Sequence, residues 1–171
     1  MSLNIEKKAL NVGGDIAHFA ANADDPYMVN FHGRQKEVDA LELIISQYMN
    51  DDAIALDIGA NIGVTSVSMA RLFKYGTVHS FEPSESNYEY LCQNLHENGI
   101  ENCTPYQIAI GDREGEDEFL HHKHGAGSHV VTDAHIVHDN MGAMSANSTY
   151  TVRKDSIDNI LRKKALDVLN F

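Results

Sequence analysis

The strongest constraint on the fold of this chain is an alternation of short apolar runs and amphipathic segments in its middle third. Residues 53–57 form a nearly continuous apolar run that ends in an aspartate, which is typical of a strand buried on both faces. A glycine-containing turn follows, then a segment at 63–75 with helical periodicity, and then a second apolar run at 77–81. This order predicts a strand, a helix and a second strand.

The alternation continues for one more unit. Ser84 is a good helix N-cap, and it precedes an apolar stripe of helical spacing that ends at Asn98-Gly99. A third strand is predicted at 104–110, before Gly111-Asp112. Strand, helix, strand, helix and strand in succession predict an α/β fold whose strands are parallel and joined by right-handed crossovers.

The segments on either side carry weaker patterns. Residues 1–35 are predicted to be irregular or short-stranded, and we treat them as an N-terminal segment ahead of one α/β domain at 36–171. A helix is predicted at 35–49, with an apolar stripe formed by Val38, Leu41, Ile45 and Tyr48. Within the domain, 113–153 is predicted to be an insertion.

The last part of the chain is predicted to mix strands with one helix. Strands are predicted at 116–121 and 150–153, and a helix at 155–163 with Asp155 or Ser156 as its cap. Residues 168–171 have the composition of a fourth core strand. We therefore expect the sheet to continue past the last residue and the chain to be truncated there.

The composition is that of a globular protein and disfavours polyanions as partners. The 171 residues are 43% hydrophobic and 22% charged, which suits one domain with a substantial core. The formal net charge of -12 disfavours nucleic acid and anionic membranes as partners, because binding to phosphates needs a positive surface. We find no signal peptide, no apolar run near the roughly 20 residues of a membrane helix, and no metal-type pair in the two cysteines. A cytoplasmic location is expected.

The turn after the first predicted strand has the composition of a nucleotide-binding loop. It reads Asp57-Ile58-Gly59-Ala60-Asn61-Ile62-Gly63, and in a parallel sheet it would lie at the carboxyl ends of the strands, where ligands bind. Gly59 and Gly63 would let a ligand approach the backbone where a Cβ would intrude, and the free amides at the start of the next helix attract a carboxylate. Asp57 would orient the loop or attract the positively charged end of a ligand.

An acidic residue follows the second predicted strand. Glu82 can accept hydrogen bonds from the two vicinal hydroxyls of a ribose, while Phe81 and Pro83 offer apolar surface to an adenine ring. The dinucleotide fingerprint G-x-G-x-x-G would need glycine where Asn61 and Val64 stand. S-adenosylmethionine carries the same adenosine without a pyrophosphate, so these departures favour it over a nicotinamide or flavin dinucleotide.

Four motifs together resemble the FkbM family of class I methyltransferases. They are the loop at 57–63, Ser80-Phe81-Glu82-Pro83, Asn94-Leu95 and Ala109-Ile110-Gly111-Asp112. The resemblance is close over 37–112 and looser as far as Phe171. It implies a Rossmann-like sheet, S-adenosylmethionine as cofactor with S-adenosylhomocysteine as product, and usually O-methylation of a hydroxyl on a sugar or secondary metabolite.

The resemblance also bears on single residues. It implies that Ile108 and Ala109 lie near the adenine, and Glu37 matches an acid common in the family. The family pattern continues into a fourth core strand that helps to complete the reaction pocket, and this segment is absent here. The residues expected to bind the cofactor are Asp57, Gly59, Ala60, Asn61, Gly63, Phe81, Glu82, Pro83, Ile108 and Ala109.

A group of histidines is the remaining candidate for a chemical role. Six of the ten histidines lie at 121–138: His121, His122, His124, His129, His135 and His138. Neutral imidazoles bind zinc, but this segment has neither a helical pair of histidines nor a nearby cysteine, so we expect solvated loop histidines and no metal site. A histidine or carboxylate would be the natural general base, yet the sequence selects none, and alignment with the methyl donor could suffice. No catalytic residue is predicted.

Three functions remain open from the sequence. The first is a methyltransferase that uses S-adenosylmethionine on a small hydroxylated acceptor, as a monomer or an oligomer, without nucleic-acid or membrane partners. The second is an NAD-dependent oxidoreductase, and the third is a non-catalytic nucleotide-binding fragment. Calorimetry with S-adenosylhomocysteine and NADH would separate the first two, because only one of the ligands should bind.

Overall fold

An antiparallel hairpin opens the part of the chain that the computed structural model describes, which is residues 4–122, 129–130 and 146–168. Its strands are β1 (Ile5–Val12) and β2 (Asp15–Asn22), joined by a turn with positive φ at Gly13 and Gly14. The inward side chains of the hairpin join the same apolar cluster as Ile62, Val67 and Leu91. The segment at 1–35 therefore packs directly on the α/β unit.

Helices follow the hairpin and cover it on one side. A short helix α1 (Pro26–Val29), a 3-10 helix (Phe31–Gly33) and the long helix α2 (Arg34–Tyr48) succeed one another. Val38 and Ile45 are buried as the apolar stripe predicts, but Tyr48 is 79% exposed. The prediction for Tyr48 is wrong because the last turn of α2 extends past the core; the neighbouring Met49 is exposed as well.

The central sheet is parallel, and this confirms the predicted α/β fold class. It consists of β3 (Ile54–Ile58), β4 (Thr77–Phe81) and β5 (Cys103–Tyr106), in the order β3-β4-β5. Ile58 is in register with Phe81, and Phe81 with Tyr106, so the three strands end at the same edge. The residues that follow these strands therefore share one edge of the sheet.

Two helices connect the strands of this sheet. Helix α3 (Val64–Leu72) begins after Gly63, and α4 (Glu85–Glu97) begins after the predicted N-cap Ser84, whose hydroxyl accepts from the Asn87 amide. Helix α3 ends earlier than its periodicity predicts. Gly76 has no positive φ and does not cap the helix; it is glycine because a Cβ there would collide with the Ala53 carbonyl oxygen.

A second, mixed sheet follows the central sheet along the chain. It contains β6 (Ala109–Ile110), β7 (Gly115–His122), β8 (His129–Val130) and β9 (Ala146–Asp155), in the order β6-β9-β7-β8. Strand β6 runs parallel to β9, and β7 runs antiparallel to it. The predicted insertion thus includes a paired hairpin in its described residues.

The predicted strand at 104–110 is in fact two strands in different sheets. The chain turns between Tyr106 and Ile108, because the Tyr106 carbonyl accepts both the Glu82 amide, at 3.0 Å, and the Ile108 amide, at 3.1 Å. Beyond this turn, Ala109 and Ile110 pair with Lys154 and Asp155 of β9.

The last described element is helix α5 (Ile157–Val168), which begins after Ser156. The Ser156 hydroxyl accepts from the Asn159 amide at 3.2 Å, as an N-cap does. Val168 belongs to this helix, so a strand does not begin there as predicted, and residues 169–171 lie outside the described residues. None of the described helices is long and apolar enough to cross a membrane.

Candidate functional site: the carboxyl edge of the parallel sheet

The loop between β3 and α3 has an unusual backbone. Gly59, Asn61 and Gly63 have positive φ angles of 79°, 51° and 92°, which are readily available to glycine and uncommon for other residues. The amides of Gly59 and Ala60 both donate to the Phe81 carbonyl, at 2.9 and 3.1 Å. The loop is therefore attached to the end of β4, and its shape requires the glycines seen in the sequence.

The two glycines of the loop have different neighbours. A Cβ on Gly59 would meet nothing within 4 Å, so the space beside this residue is open to a ligand. A Cβ on Gly63 would lie 2.7 Å from the Leu91 Cδ1 atom, so this glycine allows α3 and α4 to pack together. The missing Cβ of Gly63 therefore makes room for Leu91, and a contact between Gly63 and a ligand remains a prediction.

Glu82 is buried at the end of β4 and is bound to the backbone. Its Oε2 accepts from the Asn61 amide at 2.8 Å, and its Oε1 accepts from the Ser84 amide at 2.9 Å. Burial raises the pKa of this carboxyl, these two hydrogen bonds and one from the Asn87 side chain lower it, and the nearby Asp57 raises it. A carboxylate has about four acceptor positions, so Glu82 retains capacity for further donors.

Asp57 is buried at the end of β3 and is bound to side chains. Its Oδ2 accepts from the Ser66 hydroxyl at 2.6 Å, and Ser66 in turn accepts from the Ser80 hydroxyl at 2.8 Å. The Ser80 oxygen lies 3.2 Å from the Cys103 sulfur. Burial raises the pKa of Asp57, and the hydrogen bond from Ser66 opposes this increase.

Asn61 carries a polar atom that the described residues do not satisfy. Its Oδ1 is buried without a hydrogen-bond partner among them, although its amide is bound by Glu82. Such an atom is costly unless a ligand or water donates to it. This oxygen lies in the loop at the carboxyl edge of the sheet and is available to accept a hydrogen bond from a bound molecule.

The remaining predicted contact residues separate into two groups. Phe81 is 1% exposed and stacks on Tyr106, with ring centroids 5.1 Å apart, so its ring belongs to the core. Ala60 and Ala109 are also buried. Pro83 and Ile108, in contrast, line an open cavity of about 570 Å³.

This cavity lies between the end of the parallel sheet and β9. Besides Pro83 and Ile108, its wall includes three tyrosines and two side chains of opposite charge: Tyr88, Tyr106, Tyr150, Glu85 and Arg153. The volume is in the range of small-molecule sites, and the aromatic and polar wall suits a ligand with both rings and polar groups.

Three residues without a role in the sequence-based prediction organise the site. Ser66 and Ser80 form the hydroxyl chain to Asp57, and Asn94 of α4 supports the loop. The Asn94 amide group donates to the Ile62 carbonyl at 2.8 Å and exchanges two hydrogen bonds with the backbone of Ala20. The sequence carried a signal for Ser80 and Asn94, which belong to the motifs Ser80-Phe81-Glu82-Pro83 and Asn94-Leu95, and none for Ser66.

Tyr27 and Arg34 bring the N-terminal segment to the same site. The Arg34 guanidinium lies 4.0 Å from the centroid of the Tyr27 ring and binds the Glu37 carboxylate at 2.8 Å. Burial raises the pKa of Tyr27 to about 12, and the negative charge of Asp57 contributes to the increase. Tyr27 therefore keeps its proton, and Glu37 acts here as the partner of Arg34.

The histidine-rich segment falls mostly outside the described residues. His121 and His122 belong to β7, and His129 belongs to β8, whereas His124, His135 and His138 are not described. Among the residues that are described, no group of three or more histidine, cysteine or acidic side chains is placed to hold a metal ion.

Comparison with solved structures finds similar proteins at low sequence identity, among them structures solved with S-adenosylmethionine or related compounds. TYW2 of M. jannaschii, solved with AdoMet, is 19% identical, with a TM-score of 0.47, over 63% of this chain and 52% of that one. TYW2 of P. horikoshii, solved with MeSAdo, is 16% identical, with a TM-score of 0.46, over 63% and 37%. Coclaurine N-methyltransferase, solved with N-methylheliamine and SAH, is 18% identical, with a TM-score of 0.40, over 44% and 27%.

The chain spans about half or less of the length of these structures. The search of curated proteins finds no match. The sequence profile of the methyltransferase FkbM domain, however, matches residues 57–171, which is more than half of the chain and begins at the aspartate of the loop. Glu37 lies outside the match. The resemblance seen in the sequence is thereby confirmed, and the chain belongs to the FkbM methyltransferase domain family.

Proposed function

We propose that this chain binds S-adenosylmethionine at the carboxyl ends of β3 and β4, and that the activity it serves is methyl transfer to a hydroxyl of a sugar or secondary metabolite. Family membership supports the reaction type. The arrangement of the two buried carboxylates supports the position of the cofactor.

The observation that carries the proposal is a pair of buried acids without a cationic partner. Asp57 and Glu82 are 9% and 5% exposed. The two carboxyls are near each other, since the negative charge of Asp57 raises the pKa of Glu82. The ion pairs between described side chains include neither residue. Two uncompensated negative charges beside an open loop favour a ligand with positive charge.

In our proposal, S-adenosylmethionine would extend from the two buried carboxylates to the wall of the cavity. Bound there, it would supply an activated methyl group on a positively charged sulfur. Asp57 would attract the amino and sulfonium end, Glu82 would accept from the ribose hydroxyls, and the Asn61 Oδ1 would accept a donor group. The open space beside Gly59 would admit the ligand backbone, and Pro83 and Ile108 would contact the adenine from the cavity wall.

The acceptor would enter from the loops around β9. The tyrosines of the cavity wall provide faces for a ring, while Glu85 and Arg153 provide polar contacts for hydroxyl groups. We assign no general base. Holding the acceptor oxygen in line with the methyl group lowers the barrier by itself, because it removes the entropy cost of bringing the reactants together.

Calorimetry tests the cofactor directly. We expect S-adenosylhomocysteine and S-adenosylmethionine to bind with micromolar affinity, and NADH not to bind. Binding of NADH with no response to S-adenosylhomocysteine would overturn the proposal in favour of an oxidoreductase.

Transfer of a labelled methyl group tests the acceptor. The chain would be incubated with methyl-labelled donor and, separately, with hydroxylated sugars, phenolic metabolites and RNA. Label in a sugar or metabolite would support the proposed acceptor class. Label in RNA alone would contradict it while leaving the cofactor assignment intact.

A further inference from the structure

A chain of three hydrogen-bonding side chains ends on Asp57 from the interior of the sheet. Its members come from three elements: Ser66 from α3, Ser80 from β4 and Cys103 from β5. Ser66 and Ser80 are both fully buried. Each step is within hydrogen-bond distance, at 2.6, 2.8 and 3.2 Å.

The protons of this chain can be assigned by counting. A serine hydroxyl has one hydrogen, and that of Ser66 is given to Asp57 while that of Ser80 is given to Ser66. The contact between Ser80 and Cys103 must then use the thiol hydrogen. Burial raises the pKa of the Cys103 thiol to about 11, which agrees with a protonated donor. All three hydrogen bonds therefore point toward the Asp57 carboxylate and reinforce one another.

The direction of these hydrogen bonds matters for the charge of Asp57. Among the described residues, the Ser66 hydroxyl is the donor to the Asp57 carboxylate. A buried carboxylate with no such donor would take up a proton to avoid its desolvation cost. Ser66 both favours the ionised form and fixes which oxygen faces the interior. The second oxygen is left for a positively charged ligand.

We propose that Ser66, with Ser80 behind it, is a positioning residue that keeps Asp57 ionised and oriented for the positive end of the cofactor. The inference rests on the proposed function for its purpose. Its structural part, the control of the Asp57 charge by a buried hydroxyl, stands on the geometry alone.

The groups around Asp57 allow its titration to be isolated. Tyr27 from α1 and Cys103 from β5 both keep their protons at neutral pH, because burial raises their pKa values to about 12 and about 11. Arg34 and Glu37 reach Tyr27 and not Asp57 itself. Glu82 is the remaining acid in contact with this region. Its hydrogen bonds come from the Asn61 and Ser84 amides and from the Asn87 side chain, which a change at Ser66 leaves in place.

Two serines of the same helix give a matched pair of variants. Ser66→Ala removes the donor to Asp57. Ser68→Ala removes an equally buried hydroxyl that donates to the Val64 carbonyl at 2.8 Å and takes no part in the chain. Ser66→Thr retains a hydroxyl and should rescue the effect of Ser66→Ala in part.

The first measurement is Tm between pH 4 and pH 8 without any ligand. Ser66→Ala raises the folded-state pKa of Asp57 further, so its loss of stability relative to wild type should widen as the pH rises, by about 3 °C. The loss in Ser68→Ala should not change with pH. A loss in Ser66→Ala that is as independent of pH as that of Ser68→Ala would overturn the proposal.

The second measurement is the affinity for S-adenosylhomocysteine over the same pH range. In Ser66→Ala, the pH at which affinity falls to half should move upward by about one unit, whereas Ser68→Ala should follow wild type. An unchanged profile would contradict the role in cofactor binding. If wild type binds neither S-adenosylhomocysteine nor S-adenosylmethionine, the proposed function fails, while the Tm series still decides whether Ser66 controls the charge of Asp57.

Discussion

The ends of β3 and β4 place a buried carboxylate at the same edge of the sheet, but they hold it by different means. Glu82 is held by two backbone amides, from Asn61 and Ser84. Asp57 is held by a side-chain hydroxyl, from Ser66. Both carboxyls have a pKa raised by burial, so their electrostatic situation is similar and the difference lies in their supports.

This difference predicts that the two carboxylates contribute differently to folding and to ligand binding. Replacing Glu82 by glutamine also disturbs the backbone around it, because glutamine has a single acceptor oxygen and either the Asn61 or the Ser84 amide loses its partner. Removing the charge of Asp57 leaves the backbone as it is, since none of the backbone amides that the structure describes donates to it. Glu82 is therefore expected to affect both folding and binding, and Asp57 mainly binding.

Glu82→Gln should have the largest effect on this comparison. The variant loses charge-assisted hydrogen bonds to the ribose, and its NH₂ group would face a backbone N–H that now donates to a carboxylate oxygen. We expect affinity for S-adenosylhomocysteine to fall by about 1.5–3 kcal/mol and the free energy of unfolding by about 1–3 kcal/mol. Calorimetry and urea denaturation measure the two effects.

Glu89→Gln is the matched control for this variant, because Glu89 is an exposed acid in α4, the helix that follows Glu82. It should change neither quantity by more than about 0.5 kcal/mol. Unchanged affinity in Glu82→Gln would refute the ribose contact, and unchanged stability would refute the structural half of the comparison.

Asp57→Asn should separate binding from stability. The amide oxygen can still accept from Ser66, but the negative charge is gone, so affinity for S-adenosylmethionine should fall by about 1.5 kcal/mol. Stability at pH 7 should stay equal or increase, because the raised pKa means that the fold disfavours the ionised form. A loss of stability as large as that of Glu82→Gln would remove the distinction between the two acids.

The contribution of Asp57 to stability and the affinity of wild type should move in opposite directions as the pH changes. A carboxyl whose folded-state pKa is raised stabilises the fold below its unfolded-state pKa, and this contribution is lost as the pH rises through the folded-state value. The carboxyls of Glu97, Asp112 and Asp155 have lowered pKa values and act in the opposite sense, so the contribution of Asp57 is measured as the Tm of wild type relative to Asp57→Asn. Upward from about pH 4, this relative Tm should decrease while the affinity of wild type for S-adenosylmethionine increases. Measurements of both at half-unit steps to pH 8 test this, and parallel trends would contradict it.

Ser84→Ala should have the smallest effect and should be limited to folding. The variant loses the N-cap of α4, which costs about 1 kcal/mol of unfolding free energy. Affinity should hardly change, since Glu82 is bound by the Ser84 amide, which alanine retains. Ser46→Ala, which removes an exposed hydroxyl of another helix, is the control. A tenfold loss of affinity in Ser84→Ala alone would show that the side chain acts on the site.

The sequence pattern predicts the parallel sheet and the place of its loop well. Strand β4 was predicted at its observed bounds, and Ser84 as the cap of α4, because apolar runs and capping side chains act over a few residues. The break in the strand at 104–110 was missed. It depends on the Tyr106 carbonyl accepting two amides, one of which comes from beyond β4.

In the candidate site, too, the sequence pattern did not predict the contacts between residues of different elements. The space beside Gly59 is open, and its contact with a ligand remains a prediction, whereas the neighbour of Gly63 is Leu91, a residue of another helix. The direction of the Phe81 side chain was equally hidden, because a strand buried on both faces gives no alternation from which to read it. The structure places Pro83 and Ile108 on the cavity wall. Their contact with the adenine remains a prediction.

By itself, the sequence determined the α/β order, the two acids at the strand ends and the membership in the FkbM methyltransferase domain family. Each of these depends on residue types at short spacings along the chain. Only the tertiary structure decided that Glu82 is held by backbone and Asp57 by the chain of Ser66, Ser80 and Cys103. These contacts join residues from different elements, and their hydrogen-bond distances exist only after the sheet and its helices have packed.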